Sequence, residues 1–270
     1  MSASSIFTSF LKSLQTSSNG ELLECIEEGF RQVMLESIND KFLFKSVFMV
    51  GGPGSGKSYI TDSMFSGQPV VVVNSDNIYE TLLTRHNLPF LIDPSNVKIY
   101  NKQMEVRNSA IDMTSERMKK WANGMLPLVI DGTGRNYDRI SYQKRALNDA
   151  GYDTSMIFIN TSLDVALQRV FNRKRKLPSS FVMDAWQAVQ NNMGKFQNLF
   201  SSDGFKIVDN TNELSGRSKD QFEDYLMRLS MKILNEPLKN KRGIEIIRLM
   251  QGTGKKYLSD NEDEKPKIYF

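Results

Sequence analysis

The residues best equipped for chemistry lie between Lys45 and Ser58, in the stretch KSVFMVGGPGSGKS. An apolar run, Val47 to Val50, feeds a glycine-rich loop that fits G-x-x-x-x-G-K-[ST], with Gly51, Gly56, Lys57 and Ser58 at the fixed positions. Glycines at 51, 52, 54 and 56 let the backbone take φ values that other residues resist. Successive N–H groups can then turn inward as an anion nest, and a helix starting near Gly56 points its positive end at the same anion. In such a loop the lysine brings a full charge to the β- and γ-phosphates and the serine offers a hydroxyl to Mg²⁺. Gly52, Gly54, Ser55, Gly56, Lys57, Ser58 and Tyr59 are therefore the candidate nucleotide-binding set, with ATP and Mg²⁺ as the implied ligands. An ordinary glycine-rich turn is the alternative; the strand-like run before the loop and the helix-compatible segment after it weigh against that.

Two further apolar runs end in acidic clusters. Val70 to Val73 is β-branched without polar alternation, which predicts a strand buried on both faces of a parallel sheet. It stops at Asn74-Ser75-Asp76-Asn77. Ligands of open α/β sheets sit outside the carboxyl ends of the strands, so Asp76 is expected on the γ-phosphate side of the loop. A carboxylate there can take the proton of a substrate hydroxyl or orient Mg²⁺; the alternative is an N-cap for a helix over 78–84. Leu126 to Ile130 ends at Asp131-Gly132-Thr133-Gly134-Arg135. Asp131 could hold Mg²⁺ through water or bind a substrate hydroxyl, or it could simply open an Asp-Gly turn.

A basic run supplies the remaining candidates. Arg169 and Arg173 are four residues apart and share a helix face. Two guanidiniums on one face suit a triphosphate and can neutralise charge that develops on a moving phosphoryl group. Lys174 and Lys176 read as a solvated basic run.

These candidates need a frame. Five short apolar strands are expected, at 47–50, 70–73, 126–130, 154–160 and 205–208, alternating with helices. That pattern predicts a three-layer α/β fold with a parallel sheet and right-handed crossovers. Helices are expected over 59–65, 78–84, 97–123, 136–150, 181–200 and 222–234, with Thr161 or Ser162 capping another. Apolar spacing predicts two more helices within residues 1–44. The expected organisation is an N-terminal helical extension (1–44), a phosphate-binding domain (45–236) whose R-x-x-x-R run before Pro178 resembles the lid of nucleoside monophosphate kinases (about 169–180), and a charged, partly flexible C-terminal extension (237–270).

Composition bounds the rest. The chain has 270 residues, 40% of them hydrophobic, and a net charge of +4. That balance suits an anionic substrate and is weak for nucleic acid. The single cysteine, Cys25, excludes an intrachain disulfide framework, and the single histidine, His86, excludes a multi-histidine metal site. No apolar run reaches membrane-spanning length and no signal peptide is visible, so a cytoplasmic protein without membrane partners is expected.

The combination GGPGSGKS, VVVNSD and LVIDGTGRNYD resembles the zeta-toxin family of P-loop kinases, a family similar in fold to polynucleotide 5′-kinases. The similarity runs from about Ser46 to Asn210. It implies a P-loop fold with strand order 2-3-1-4-5 and transfer of the ATP γ-phosphoryl group to a sugar hydroxyl of UDP-N-acetylglucosamine. It further implies Lys57 as the phosphate-binding lysine, Ser58 as the Mg²⁺ ligand, Asp76 as the catalytic base, and Thr133 and Arg135 as substrate contacts. Asp131 stands where the toxins usually carry Glu, one methylene longer. In kinases of this kind Asn210 would lie beside the adenine, and Arg173 or Arg175 would be the second lid arginine. Three readings stay open: a small-molecule or nucleotide-sugar kinase, a polynucleotide 5′-hydroxyl kinase, and a nucleotide-binding assembly component docking protein partners through its terminal extensions.

Overall fold

The computed structural model describes residues 42–93, 95–172 and 177–252. The helices expected within 1–41, Arg173 and Arg175 with their lysine neighbours, and the chain from 253 onward lie outside these. In chain order the elements are β1 (Lys45–Val50), α1 (Lys57–Phe65), β2 (Val71–Val73), α2 (Ser75–Arg85), α3 (Val97–Asn123) and β3 (Leu128–Gly132). They continue with α4 (Tyr137–Asp149), β4 (Asp153–Asn160), α5 (Leu163–Phe171), α6 (Ser179–Gly204), β5 (Phe205–Asp209), α7 (Gly216–Asn235) and α8 (Lys241–Gly252).

All four strand pairings are parallel, and the order is β2-β3-β1-β4-β5, as the family resemblance implied. Strand β1 is central, so its side chains are buried on both faces and split by period two. Val47 and Met49 join Ile60 and Met64 of α1 and Leu226 and Leu229 of α7 on one face. Phe48 and Val50 join Met118 of α3, Ile140 and Leu147 of α4, and Phe196 and Phe200 of α6 on the other. The fold is thus a three-layer α/β fold whose strands all deliver their carboxyl ends to one edge.

Three details differ from the sequence expectations or decide between the alternatives they left open. Strand β2 is not buried on both faces: it is an edge strand, and Val72 is 44% exposed. Its following helix explains this, because α2 packs on α3 around a small core of its own, with Tyr79, Leu82, Leu83, Val106 and Ala110. The N-cap of α2 is Asn74, not Asp76. Asn74 has extended backbone angles and its side chain accepts from Asp76 N at 2.7 Å, which leaves Asp76 inside the first turn. Ser162, rather than Thr161, caps α5.

Helix α8 lies in the charged C-terminal segment and packs Ile246 and Ile247 against the larger core. The Asp153 carboxylate receives Lys45 Nζ at 2.8 Å and the backbone N–H groups of Lys239 and Asn240, each at 2.9 Å. Asn240 Nδ2 donates to Asn148 O and Tyr152 O.

Candidate functional site

The phosphate-binding loop leaves the end of β1 and closes on the first turn of α1, as its spacing requires. Two glycines carry the strained part of the path. Gly54 and Gly56 have φ of 79° and 81°, in the left-handed region that costs other residues energy. A Cβ on Gly54 would collide with the carbonyl of Ala166 in α5, and one on Gly56 with the side-chain amide of Asn210. Ser55 Oγ is buried and has no hydrogen-bond partner among the described residues. An orphaned, buried hydroxyl in a glycine-rich loop fits an oxyanion ligand.

Lys57 and Asp131 come together at the head of the loop. Parallel pairing sets Met49 of β1 opposite Asp131 of β3, so the carboxylate rises beside the loop's start. Lys57 Nζ meets Asp131 Oδ1 at 2.5 Å, with side-chain exposures of 17% and 9%. Asn74 Nδ2 donates to Asp131 Oδ2 at 2.6 Å. Asn74 therefore does two jobs: one amide atom caps α2 and the other ties β2 to β3. Burial pushes the Asp131 carboxyl above the usual carboxylate range, and the nearby Asp76 charge pushes the same way; the Lys57 ammonium and Asn74 pull against them. Asp76 itself is exposed in the first turn of α2.

This arrangement suits a divalent cation held largely by a substrate's phosphates. Mg²⁺ bound that way needs only one or two protein oxygens. Ser58 is exposed at the start of α1, and the Asp131 carboxylate, 9% exposed, is held above its usual range mainly by desolvation. Among the described residues no cluster of three or more His, Cys, Asp or Glu side chains could hold a metal without such help.

The remaining candidates divide into two groups. Thr133 and Arg135 are exposed on the loop after β3. Asn192 of α6, itself buried, donates to Gly134 O at 3.0 Å and Arg135 O at 3.1 Å. The Arg135 guanidinium lies 4.9 Å from the centre of the Phe181 ring, also on α6. On the other side, Asn210 follows β5 and reaches back to the loop, where Nδ2 donates to Ser55 O at 2.8 Å. Arg169 Nη1 donates to Asn210 O at 2.8 Å. The Tyr59 hydroxyl is turned toward α7, donating to Glu223 at 2.9 Å. Gly52 packs under the backbone of Trp186 in α6.

The sequence matches the profile of a family described as AAA domain over residues 47–196, more than half of the chain. The chain belongs to the AAA domain family. The matched span starts in β1 and ends within α6, so it holds the loop, Asp76, Asp131 and Arg169 but not Asn210. No curated protein sequence matches the chain. Among solved structures it is similar to the PezAT chromosomal toxin-antitoxin system of Streptococcus pneumoniae, at 16% identity and a TM-score of 0.43, covering 83% of this chain and 98% of that one. It is also similar to a gluconokinase from Sinorhizobium meliloti, at 16% identity and a TM-score of 0.42, covering 74% and 97%. A third is the AvrRxo1-ORF1:AvrRxo1-ORF2 complex with sulphate ions, at 13% identity and a TM-score of 0.48, covering 87% and 86%.

Several residues of this AAA domain's site were not singled out in the sequence. Asn74 could have been found from its place: an Asn directly after a strand and two residues before an acidic first-turn residue is a strong N-cap signal. Asn192, Gln190 and Trp186 carried no such signal. They are interior positions of a long helix, and only packing shows that Trp186 Nε1 donates to Thr161 O at 2.8 Å and Gln190 to Asn160 at 3.1 Å.

Proposed function

We propose that the protein is an ATP-dependent kinase that transfers the γ-phosphoryl group to a hydroxyl of a small-molecule or nucleotide-sugar acceptor, in the manner of the zeta toxins. The observation that carries this reading is the meeting of Lys57, Asp131 and Asn74 beside an exposed Asp76 at one sheet edge. A loop that only stores a nucleotide needs the lysine but has no use for a second, solvent-facing carboxylate.

In this reading Lys57 exchanges Asp131 for the β- and γ-phosphate oxygens when the triphosphate enters. Ser58 and Asp131 would hold Mg²⁺, which supplies charge neutralisation on the phosphates when bound. The acceptor hydroxyl attacks the γ-phosphorus, and its proton passes to the Asp76 carboxylate. The bond from the γ-phosphorus to the β,γ-bridging oxygen breaks, and that electron pair leaves with ADP. Thr133 and Arg135 face the acceptor side, and Asn192 holds their loop rigid. Asn74 keeps Asp76 in place because its cap bond goes to the Asp76 backbone, not to the side chain.

The test is transfer of labelled γ-phosphate from ATP to a panel of UDP-sugars, nucleosides, small polyols and 5′-hydroxyl oligonucleotides. Acceptor-dependent transfer to a sugar or small alcohol, lost in Lys57→Ala, is the expected result. Labelling confined to oligonucleotides would move the protein to the polynucleotide kinases. ATP binding with no transfer to any acceptor would overturn the kinase reading.

A further inference from the structure

Asn210 is held through its backbone, and its side-chain Nδ2 is committed to the phosphate-binding loop. It is buried directly after β5, where its N–H donates to Asn160 O at 2.9 Å and extends the β4–β5 pairing by one residue. Its carbonyl receives Arg169 Nη1 at 2.8 Å and Thr161 Oγ1 at 3.4 Å. Its Nδ2 spans 155 positions of sequence to reach Ser55 O in the phosphate-binding loop. Among the described residues the loop has few other ties: Ser55 N donates to Gly52 O and Ile60 N to Gly56 O, each at 3.1 Å. The space that a side chain on Gly56 would fill is occupied by the Asn210 amide.

Peptide geometry makes this contact consequential. In a planar trans peptide the C=O and the following N–H point in opposite directions. Pinning Ser55 O on Asn210 therefore turns the Gly56 N–H away from Asn210 and toward the interior of the loop. That N–H belongs to the nest that would receive a phosphate. We propose that Asn210 is a positioning residue that holds the phosphate-binding loop in its binding shape. Arg169 acts through it, by clamping the Asn210 carbonyl. This assigns Asn210 to the phosphates rather than to adenine, and Arg169 to a fixed latch rather than a moving lid. It rests on the reading that the loop binds a triphosphate.

The test compares two ligands, ATP and inorganic tripolyphosphate, each with Mg²⁺, on the full-length protein. Asn210→Ala is expected to weaken both by the same factor, about tenfold or more, since tripolyphosphate has no base to lose. Asn210→Leu keeps a similar volume, removes the donor and adds no charge beside the phosphates, so it is expected to do the same, and it carries the test should the alanine variant not fold. Arg169→Met is expected to weaken both ligands equally, by less. A second readout needs no ligand: hydrogen exchange at the Ser55 amide, which donates to Gly52 O, is expected to rise in Asn210→Leu while the β-strand amides stay protected. Loss of ATP binding with tripolyphosphate unchanged would make Asn210 a base contact and overturn the proposal. So would wild-type binding or wild-type Ser55 exchange in Asn210→Leu. If the wild-type protein bound neither ligand, the kinase reading would fall, and the exchange experiment would still decide the latch.

Discussion

Asp76→Asn tests the proposed base apart from architecture, because the cap of α2 uses the Asp76 backbone and the proposed base is its side chain. The cap of α2 is made by the Asn74 side chain to the Asp76 backbone, so the substitution leaves that bond in place. The Asp76 side chain is exposed, so no buried partner is orphaned. What is lost is a negative charge in the first turn of a helix, a favourable interaction of about 0.3–1 kcal/mol at an exposed site. Relief of its repulsion with the Asp131 carboxylate offsets part of this. At about 2–4 °C per kcal/mol for a domain of 150–250 residues, Tm should fall by roughly 0–4 °C. Nucleotide affinity should stay within about threefold of wild type, since the loop, Lys57 and Ser58 are untouched. Phosphoryl transfer should drop by about 10²-fold or more, because an amide cannot take the acceptor's proton. Thermal denaturation, equilibrium ATP binding and labelled-phosphate transfer on the same preparation read the three quantities. A transfer rate within a few-fold of wild type would refute the base assignment; a large fall in Tm would refute the claim that Asn74 alone supports the helix start.

Three other outcomes follow from specific contacts. Gly54→Ala should abolish nucleotide binding while the protein stays folded, since its Cβ meets the Ala166 backbone and its φ is 79°; calorimetric titration with ATP checks this. Tyr152→Phe should cost about 1–3 kcal/mol, because the buried hydroxyl donates to Leu126 O at 2.9 Å and Ala122 O at 3.2 Å. Burial also holds the Tyr152 phenol above its ordinary value, so the folded protein keeps a proton that the unfolded chain releases above about pH 10. Stability should fall as pH rises through that point, and Tyr152→Phe should flatten this alkaline limb in urea melts. Asn240→Ala should destabilise by about 1–2 kcal/mol, since it removes bonds to Asn148 O and Tyr152 O and the side-chain acceptor for the N–H groups of Arg242 and Gly243. An unchanged urea midpoint would mean that α8 does not depend on this anchor.

Local chemistry made much of this protein readable from its amino-acid order. The loop from Gly51 to Ser58, the β-branched and apolar strand runs, the stop at Asn123-Gly124 and the acidic strand ends all rest on interactions within a few residues. Sequence records such interactions directly. Parallel sheets bring strand ends to one edge, so the amino-acid order already implies the neighbourhood of Lys57, Asp76 and Asp131. Other features depended on contacts between distant segments. That β2 is an edge strand follows from α2 leaving the sheet for α3, which the valine run does not encode. That Lys57 rests on Asp131, 74 positions away, and Asn210 on Ser55, 155 positions away, depends on strand register and on where β5 ends. An asparagine after a strand has the same local propensities whether it faces a base or braces a loop. Its partner is chosen by the packed fold, because a buried amide must find an acceptor and only the tertiary structure decides which carbonyl is within reach.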